Sequence, residues 1–171
     1  MRNRTVAFGA SLAAAAAFGA TSLPSTAQTP PIVGEPLSLR ASFPDDVSMK
    51  IKLKDDHGAT SVVHVDDPSR TVVVKYTVQP GAKFPWHSHA GPVVVNVKDG
   101  SLVYVPSDGC EERTYGPGTA FVDAGHGHVH TAFNSTGGVT VLYATFFEVP
   151  LQGPLTITEG VEAPADCQVG S

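Results

Sequence analysis

The chain has 171 residues, 42% of them hydrophobic and 16% charged, and its formal net charge is −5. This composition is typical of a globular protein of one domain and excludes the disordered and fibrous classes. Lysine and arginine form no cluster beyond two arginines at the N-terminus, so the chain offers little that could neutralise phosphates. We therefore expect no nucleic-acid partner.

The first 27 residues have the features of a secretory signal peptide. Arg2 and Arg4 form a positive region, residues 6–20 are apolar, and the small residues 25–27 form a cleavage site. A buried N-terminal helix is the alternative, but the stretch lacks amphipathic spacing. We expect a secreted or periplasmic protein with no membrane span once the signal has been removed.

A Pro-rich segment, residues 28–40, is expected to form an extended arm outside the core. The body, residues 41–150, consists of short segments rich in Val, Thr, Tyr and Phe between Gly, Pro and Asp. Such segments indicate β-strands. Eight strands are predicted, at residues 48–54, 61–65, 71–78, 92–97, 101–105, 119–122, 128–133 and 139–148.

No window shows sustained helical periodicity, and Lys98-Asp99-Gly100 is a tight hairpin signal between two of the strands. Many short strands without helical crossovers predict an all-β, single-domain fold, an antiparallel jelly-roll β-barrel. An immunoglobulin-like sandwich is the alternative. A further strand is expected at residues 155–158, within a C-terminal tail of residues 151–171.

The two cysteines, Cys110 and Cys167, form an even number in a chain that we expect to be exported. We interpret them as a disulfide that ties the tail to the body and stabilises it by about 3–4 kcal/mol. Two unrelated buried thiols are the alternative. Metal ligation is less favoured, because neither cysteine has another Cys or His at ligand spacing.

Five of the seven histidines fall in two segments, residues 80–91 and 123–134. His87 and His89 are two residues apart and would share one face of a strand, as would those at 126, 128 and 130. Three converging imidazoles can hold Zn, Cu, Fe or Ni and leave coordination positions open. The pattern predicts a metal site.

The pattern Gly81-x5-His87-x-His89-x3-Val93-x6-Gly100 resembles the first motif of the cupin superfamily at every position but one. Gly127-x2-His130-x3-Asn134 resembles the end of the second motif, and Gly118 lies near its start. The closest likeness is to small exported single-domain cupins. The resemblance implies a jelly-roll barrel that holds one divalent metal through His87, His89 and His130.

The sequence departs from the family pattern at two places. Val93 stands where cupins usually have a glutamate ligand, which leaves three neutral histidines unless His128 joins them. Gly125 stands where the second motif has proline, so the choice between His128 and His130 as third ligand stays open. His126, in a Gly-His-Gly turn, is more typical of a solvated loop.

Outer hydrogen-bond partners of the ligands are expected among the polar residues at the barrel mouth: Asn134, Asn96 and, if its strand points inwards, Asp123. Six aromatic residues could wall an apolar pocket, although such residues are more often core. They are Phe84, Trp86, Tyr104, Phe121, Phe133 and Tyr143.

Three functions remain open at this point. The resemblance favours a metal-dependent oxygenase or isomerase of a small organic molecule, and the missing glutamate favours a non-catalytic barrel that binds or senses a metal or small ligand. A barrel without metal is the third. A homodimer through edge strands is expected.

The metal itself is expected to be Zn²⁺ or Cu²⁺, because imidazoles bind these ions more tightly than Fe²⁺ or Mn²⁺ once the chain is outside the cytoplasm. Fe, Mn or Ni would be the alternatives. Affinity is expected to fall as the pH drops through about 6.5, where free imidazole titrates.

Overall fold

The computed structural model describes residues 31–54, 60–65 and 70–169, so the predicted signal peptide lies outside the described residues. Within these ranges the regular structure is all strand, and no helix is long and apolar enough to cross a membrane. The ten strands are β1 (Ile32–Pro36), β2 (Met49–Lys54), β3 (Thr60–Val65), β4 (Val72–Val78), β5 (Val93–Asp99), β6 (Leu102–Pro106), β7 (Arg113–Tyr115), β8 (Ala120–Asp123), β9 (His130–Phe133) and β10 (Thr140–Phe146).

The strands form three antiparallel sheets. The largest has the order β1-β4-β10-β5-β8, the second has the order β7-β6-β9, and β2 pairs with β3 alone. The all-β antiparallel fold predicted from the sequence is thereby confirmed.

The core lies between the five-stranded and three-stranded sheets. Alternate residues of β10 are buried, as a strand with one face on a core requires. Leu102 of β6 and Ala132 of β9 join the valines of β4 and β5 in one apolar cluster, so the two sheets pack face to face. Each large apolar side chain buried here contributes about 1.5–3 kcal/mol.

The predicted hairpin joins β5 to β6. Gly100 adopts a φ of +72°, which side chains disfavour, and a Cβ there would lie 2.5 Å from the Thr140 hydroxyl oxygen. That hydroxyl accepts a hydrogen bond from the Ser101 N–H at 3.1 Å and donates one to the Ser101 carbonyl at 2.8 Å. The conformation of the turn is thus set both by Gly100 and by the hydrogen bonds with Thr140 of β10.

Two strands were not predicted. Residues 32–36 of the arm pair with β4, with Ile32 opposite Val78, and form the edge of the large sheet. Strand β7 has three residues, too few to show an alternating pattern. The strand expected at 155–158 is instead one bridge between Ser88 and Ile157.

The predicted disulfide is present: Cys110 and Cys167 are bonded, with Cα atoms 5.4 Å apart. It joins the turn after β6 to the C-terminal tail across 57 residues of chain. The disulfide is consistent with an extracellular location.

Candidate metal centre

Backbone pairing brings the two histidine segments together. His87, in the connection between β4 and β5, and His130, the first residue of β9, exchange two backbone hydrogen bonds of 2.9 Å. Their ring centroids lie 4.2 Å apart. The ring of His89 lies 4.9 Å from the His87 ring and 5.1 Å from the His130 ring, so the three imidazoles form one cluster.

The three rings are buried, with 4%, 6% and 4% of the surface of His87, His89 and His130 exposed. One ligand nitrogen from each lies within 4.8 Å of the others, close enough for a single ion to draw them together. This neutral nitrogen donor set is one that divalent transition metals accept.

Each ring is held through Nδ1 by an oxygen atom. His87 Nδ1 donates to the Pro85 carbonyl at 2.7 Å, and His89 Nδ1 donates to the Leu155 carbonyl at 2.8 Å. His130 Nδ1 lies 3.1 Å from Asp123 Oδ2. A carbonyl can only accept, so Nδ1 carries the proton and Nε2 keeps its lone pair. This is the arrangement that orients metal-binding imidazoles.

Burial keeps the three rings neutral. Burial lowers the pKa of His87 to about 4, helped by neighbouring His89, and lowers the pKa of His130 to about 3. Burial also lowers the pKa of His89. Neutral imidazole is the form that binds a metal, so burial favours the ligand form of all three rings.

Asp123, the last residue of β8, is 1% exposed and contacts the cluster through His130. Its Oδ2 accepts a 2.8 Å hydrogen bond from the Tyr104 hydroxyl, and its Oδ1 accepts the Gly125 N–H at 2.9 Å. Burial alone would raise its pKa, but contacts with His128, His130 and Tyr104 outweigh burial and lower the pKa to about 2. Asp123 is therefore a fixed anion.

His128 lies outside the three-ring cluster. Its Nδ1 faces Asp123 Oδ2 at 3.2 Å and its Nε2 faces Asp108 Oδ1 at 3.0 Å, so both nitrogens are engaged by carboxylates. The hydrogen bond with Asp123 raises the pKa of His128. Asp123, His128 and His130 also form a second group with ligand atoms within 4.8 Å.

The loop before β9 explains why that strand begins at His130 rather than at 128. Gly125, His126 and Gly127 all have positive φ values, of 65°, 51° and 82°. His126 is half exposed and its Nε2 lies 2.5 Å from Glu148 Oε2. A left-handed run of this kind is a turn, so the strand can start only after it.

The other expected partners lie elsewhere. Asn134 is fully buried, and its amide bonds the Val78 and Gly138 carbonyls. Asn96 is an exposed residue of β5. The carbonyls of Pro85 and Leu155 instead accept the hydrogen bonds from His87 and His89. Backbone acceptors leave no trace in a sequence, so residue types could not have indicated them.

The cluster faces a cavity of about 50 Å³. A water molecule needs roughly 10–15 Å³ on this measure, so the cavity has room for a few small groups. Its polar lining comes from the three histidines, Asp123, Thr156 and two tyrosines, and no lysine or arginine in the described part of the chain lines it. The apolar wall includes Phe84, Val93, Leu102, Phe121, Leu142 and Phe146.

Val93 occupies the family's glutamate position and is 2% exposed, so that side of the cavity is apolar. Of the six aromatic residues expected to wall a pocket, Phe84, Tyr104 and Phe121 line this cavity. Trp86 and Phe133 instead pack in a separate small cluster with Val103 and Val105.

No protein-family model and no curated protein sequence matches the chain. Similar solved structures include polyketide cyclase RemF from Streptomyces resistomycificus, at 22% identity over 68% of this chain and 75% of that chain, with a TM-score of 0.45. KdgF from a Halomonas species is 19% identical over 71% and 84%, with a TM-score of 0.47.

A cupin-like protein from Thermotoga maritima is 27% identical over 49% of this chain and 61% of that chain, with a TM-score of 0.44. Cupin proteins are thus among the solved structures to which the chain is similar. At these TM-scores the likenesses carry no information about activity.

Proposed function

We propose that the chain is an exported, cupin-like barrel that binds one divalent metal through His87, His89 and His130. The observation that carries the proposal is shared by the three rings: each is buried, and each Nδ1 faces an oxygen acceptor, which leaves the lone pair on Nε2. Such a preorganised set costs little to assemble around an ion.

The metal would supply Lewis acidity towards an oxygen atom of a bound molecule. The chain's own residues orient the ligands and exclude water: Asp123 fixes His130, and the apolar wall with Val93 shields the site. Zn²⁺ or Cu²⁺ is the proposed ion, since three neutral imidazoles bind these ions more tightly than Fe²⁺ or Mn²⁺ outside the cytoplasm.

The ligand or substrate is proposed to be a small, largely apolar organic molecule with an oxygen that can approach the metal. No lysine or arginine among the described residues lines the cavity, so only the metal could pair with an anionic group, and most of the wall is hydrocarbon. A polar carbohydrate would leave many hydroxyls without partners there, which costs free energy.

Two activities fit this site. An oxygenase or isomerase would use the open metal positions, whereas a non-catalytic barrel would only hold the metal or a small ligand. One observation favours the second: Asp123, the carboxylate lining the cavity, has a pKa of about 2 and is a weak base. Acid–base catalysis would therefore need a group supplied by the substrate or by water.

The test is the metal content of the mature protein, purified without metal-affinity resin, measured by elemental analysis. We expect about one metal per wild-type chain and none in His87→Ala/His89→Ala. His64→Ala, which removes an exposed histidine of β3, is the matched control and should keep its metal. A wild type that stays empty after incubation with Zn²⁺, Cu²⁺, Fe²⁺ and Mn²⁺ contradicts the proposal.

The domain organisation and export are proposed with it: a signal peptide of residues 1–27, an arm of 28–40, a barrel of 41–150 and a disulfide-tied tail of 151–171. The apolar N-terminal stretch and the disulfide support export. The mass of the exported chain should correspond to a protein that starts at Gln28.

A further inference from the structure

The C-terminal strap, residues 151–169, runs across the candidate metal centre. Ser88 and Ile157 exchange two backbone hydrogen bonds, of 3.0 Å from the Ser88 N–H and 2.9 Å from the Ile157 N–H. Ser88 is buried and lies between His87 and His89 in the chain. The strap is therefore seated on the backbone that carries two of the three proposed ligands.

The strap also supplies the acceptor that holds one ligand. Two residues before Ile157, the Leu155 carbonyl accepts the Nδ1–H of His89 at 2.8 Å, and Thr156 lines the cavity. The acceptors for the other two ligands are the Pro85 carbonyl, in the connection between β4 and β5, and Asp123, at the end of β8. Of the three, only His89 takes its acceptor from the C-terminal strap.

The strap is fastened at both ends. Near its start, the Arg40 guanidinium donates to the carbonyls of Pro150 and Gly153. Near its end, Cys167 is bonded to Cys110 in the turn after β6. Between these points it forms no strand, so the bridge at Ser88 and the two ends keep it in place.

We propose that the strap is a positioning element of the metal centre, in which the Leu155 carbonyl sets the orientation of His89 and the disulfide keeps that carbonyl seated. The inference rests on the proposed metal-binding function. Without the strap, His89 Nδ1 loses its acceptor, and its ring can turn away from the other two. Loss of such a partner lowers metal affinity by roughly ten- to hundredfold.

The experiment compares Ile157→Pro with Ile157→Ala in the full-length mature protein. Proline removes the N–H that bonds the Ser88 carbonyl and lifts the strap, whereas alanine keeps the N–H. Ile157 is 37% exposed, so the loss of its side chain is tolerable in both. Zn²⁺ affinity is measured by competition with a chromophoric chelator, and the absorption spectrum of bound Co²⁺ reports the ligand set.

We expect Ile157→Pro to bind Zn²⁺ about ten- to hundredfold more weakly and to change the Co²⁺ spectrum, while Ile157→Ala stays within about twofold of wild type. Equal affinities and spectra for all three chains overturn the inference and leave the proposed function intact. A wild type that binds none of Zn²⁺, Co²⁺, Cu²⁺, Fe²⁺ and Mn²⁺ overturns the proposed function itself.

A second variant, Cys110→Ser/Cys167→Ser, tests the disulfide without altering the strap's backbone. We expect weaker Zn²⁺ binding than in wild type, because an untethered strap occupies its seat for less of the time. Circular dichroism must show the variant folded. Wild-type affinity in that folded variant would overturn the disulfide's part in the proposal.

Discussion

Asp123 shows how one buried residue organises the candidate site. It accepts hydrogen bonds from Tyr104 and the Gly125 backbone, and it lies within about 3 Å of ring nitrogens of His128 and His130. Because its carboxylate oxygens are occupied by these contacts, Asp123 serves to orient the neighbouring histidine rings. This arrangement is typical of a preorganised metal-ligand set rather than of an acid–base centre.

Val93 is the residue at which the site departs most clearly from the cupin pattern. Val93→Glu would place a carboxylate in the cavity beside the three imidazoles. We expect the metal-free variant to be less stable, because a buried carboxylate is costly, and we expect metal to stabilise it more than wild type.

The measurement is the rise in thermal midpoint on adding Zn²⁺, with Val93→Gln as a control of similar size and no charge. Each tenfold gain in affinity adds about 1.4 kcal/mol of stabilisation at saturating metal. A rise no larger for Val93→Glu than for Val93→Gln would show that position 93 does not reach the metal.

The buried histidines make the stability of the metal-free protein dependent on pH. Burial lowers the folded-state pKa of His87 to about 4, below its ordinary value of 6.5, so the unfolded chain binds a proton first as the pH falls. Stability is therefore expected to decrease from pH 6.5 down to about 4. His87→Gln should reduce this slope in denaturant unfolding, and exposed His64→Gln should not. Equal dependence of stability on pH in the two variants would contradict its assignment to His87.

At the scale of elements, the loop between β8 and β9 fixes the place where the two motif segments meet. Gly125 and Gly127 both have positive φ values, but only at Gly125 would an added Cβ meet a neighbour, 2.1 Å from the Gly91 backbone. Gly91 follows His89 by two residues, so this contact joins the two motifs directly. The glycine that replaces the family's proline is thus required by packing.

Replacing each of these glycines by alanine distinguishes the cost of backbone strain from the cost of steric overlap with the added methyl group. Gly127→Ala should cost about 1–2 kcal/mol for its left-handed conformation. Gly125→Ala should cost about 1–3 kcal/mol more, because the added methyl group displaces the Gly91 backbone. Urea unfolding of the metal-free variants measures both. Equal losses would mean that the loop moves freely away from Gly91.

At the scale of the whole molecule, the arm presents an apolar edge. Strand β1 is the edge of the large sheet, and Val33, Leu37, Leu39 and Phe43 are 38–88% exposed. Edge strands with exposed apolar side chains pair readily, and a second copy would cover both features. We expect a homodimer by light scattering, and a monomer for Leu37→Ser/Leu39→Ser. A wild-type monomer at high concentration would exclude this interface.

The sequence by itself determined the all-β class, the hairpin at Gly100, the disulfide and the grouping of histidines in two segments. These features depend on local preferences or on residue types with few other roles: alternating Val and Thr, a turn glycine, paired cysteines and closely spaced imidazoles. Eight of the ten strands were predicted for the same reason.

Only the tertiary structure decided which histidines converge and what holds them. His128 and His130 have the same parity in the sequence, but backbone pairing with His87 places His130 in the cluster and turns His128 towards two carboxylates. The carbonyl of Leu155 reaches His89 from 66 residues away in the chain. Backbone acceptors carry no residue-type signal, and such long-range contacts exist only once the sheets have packed.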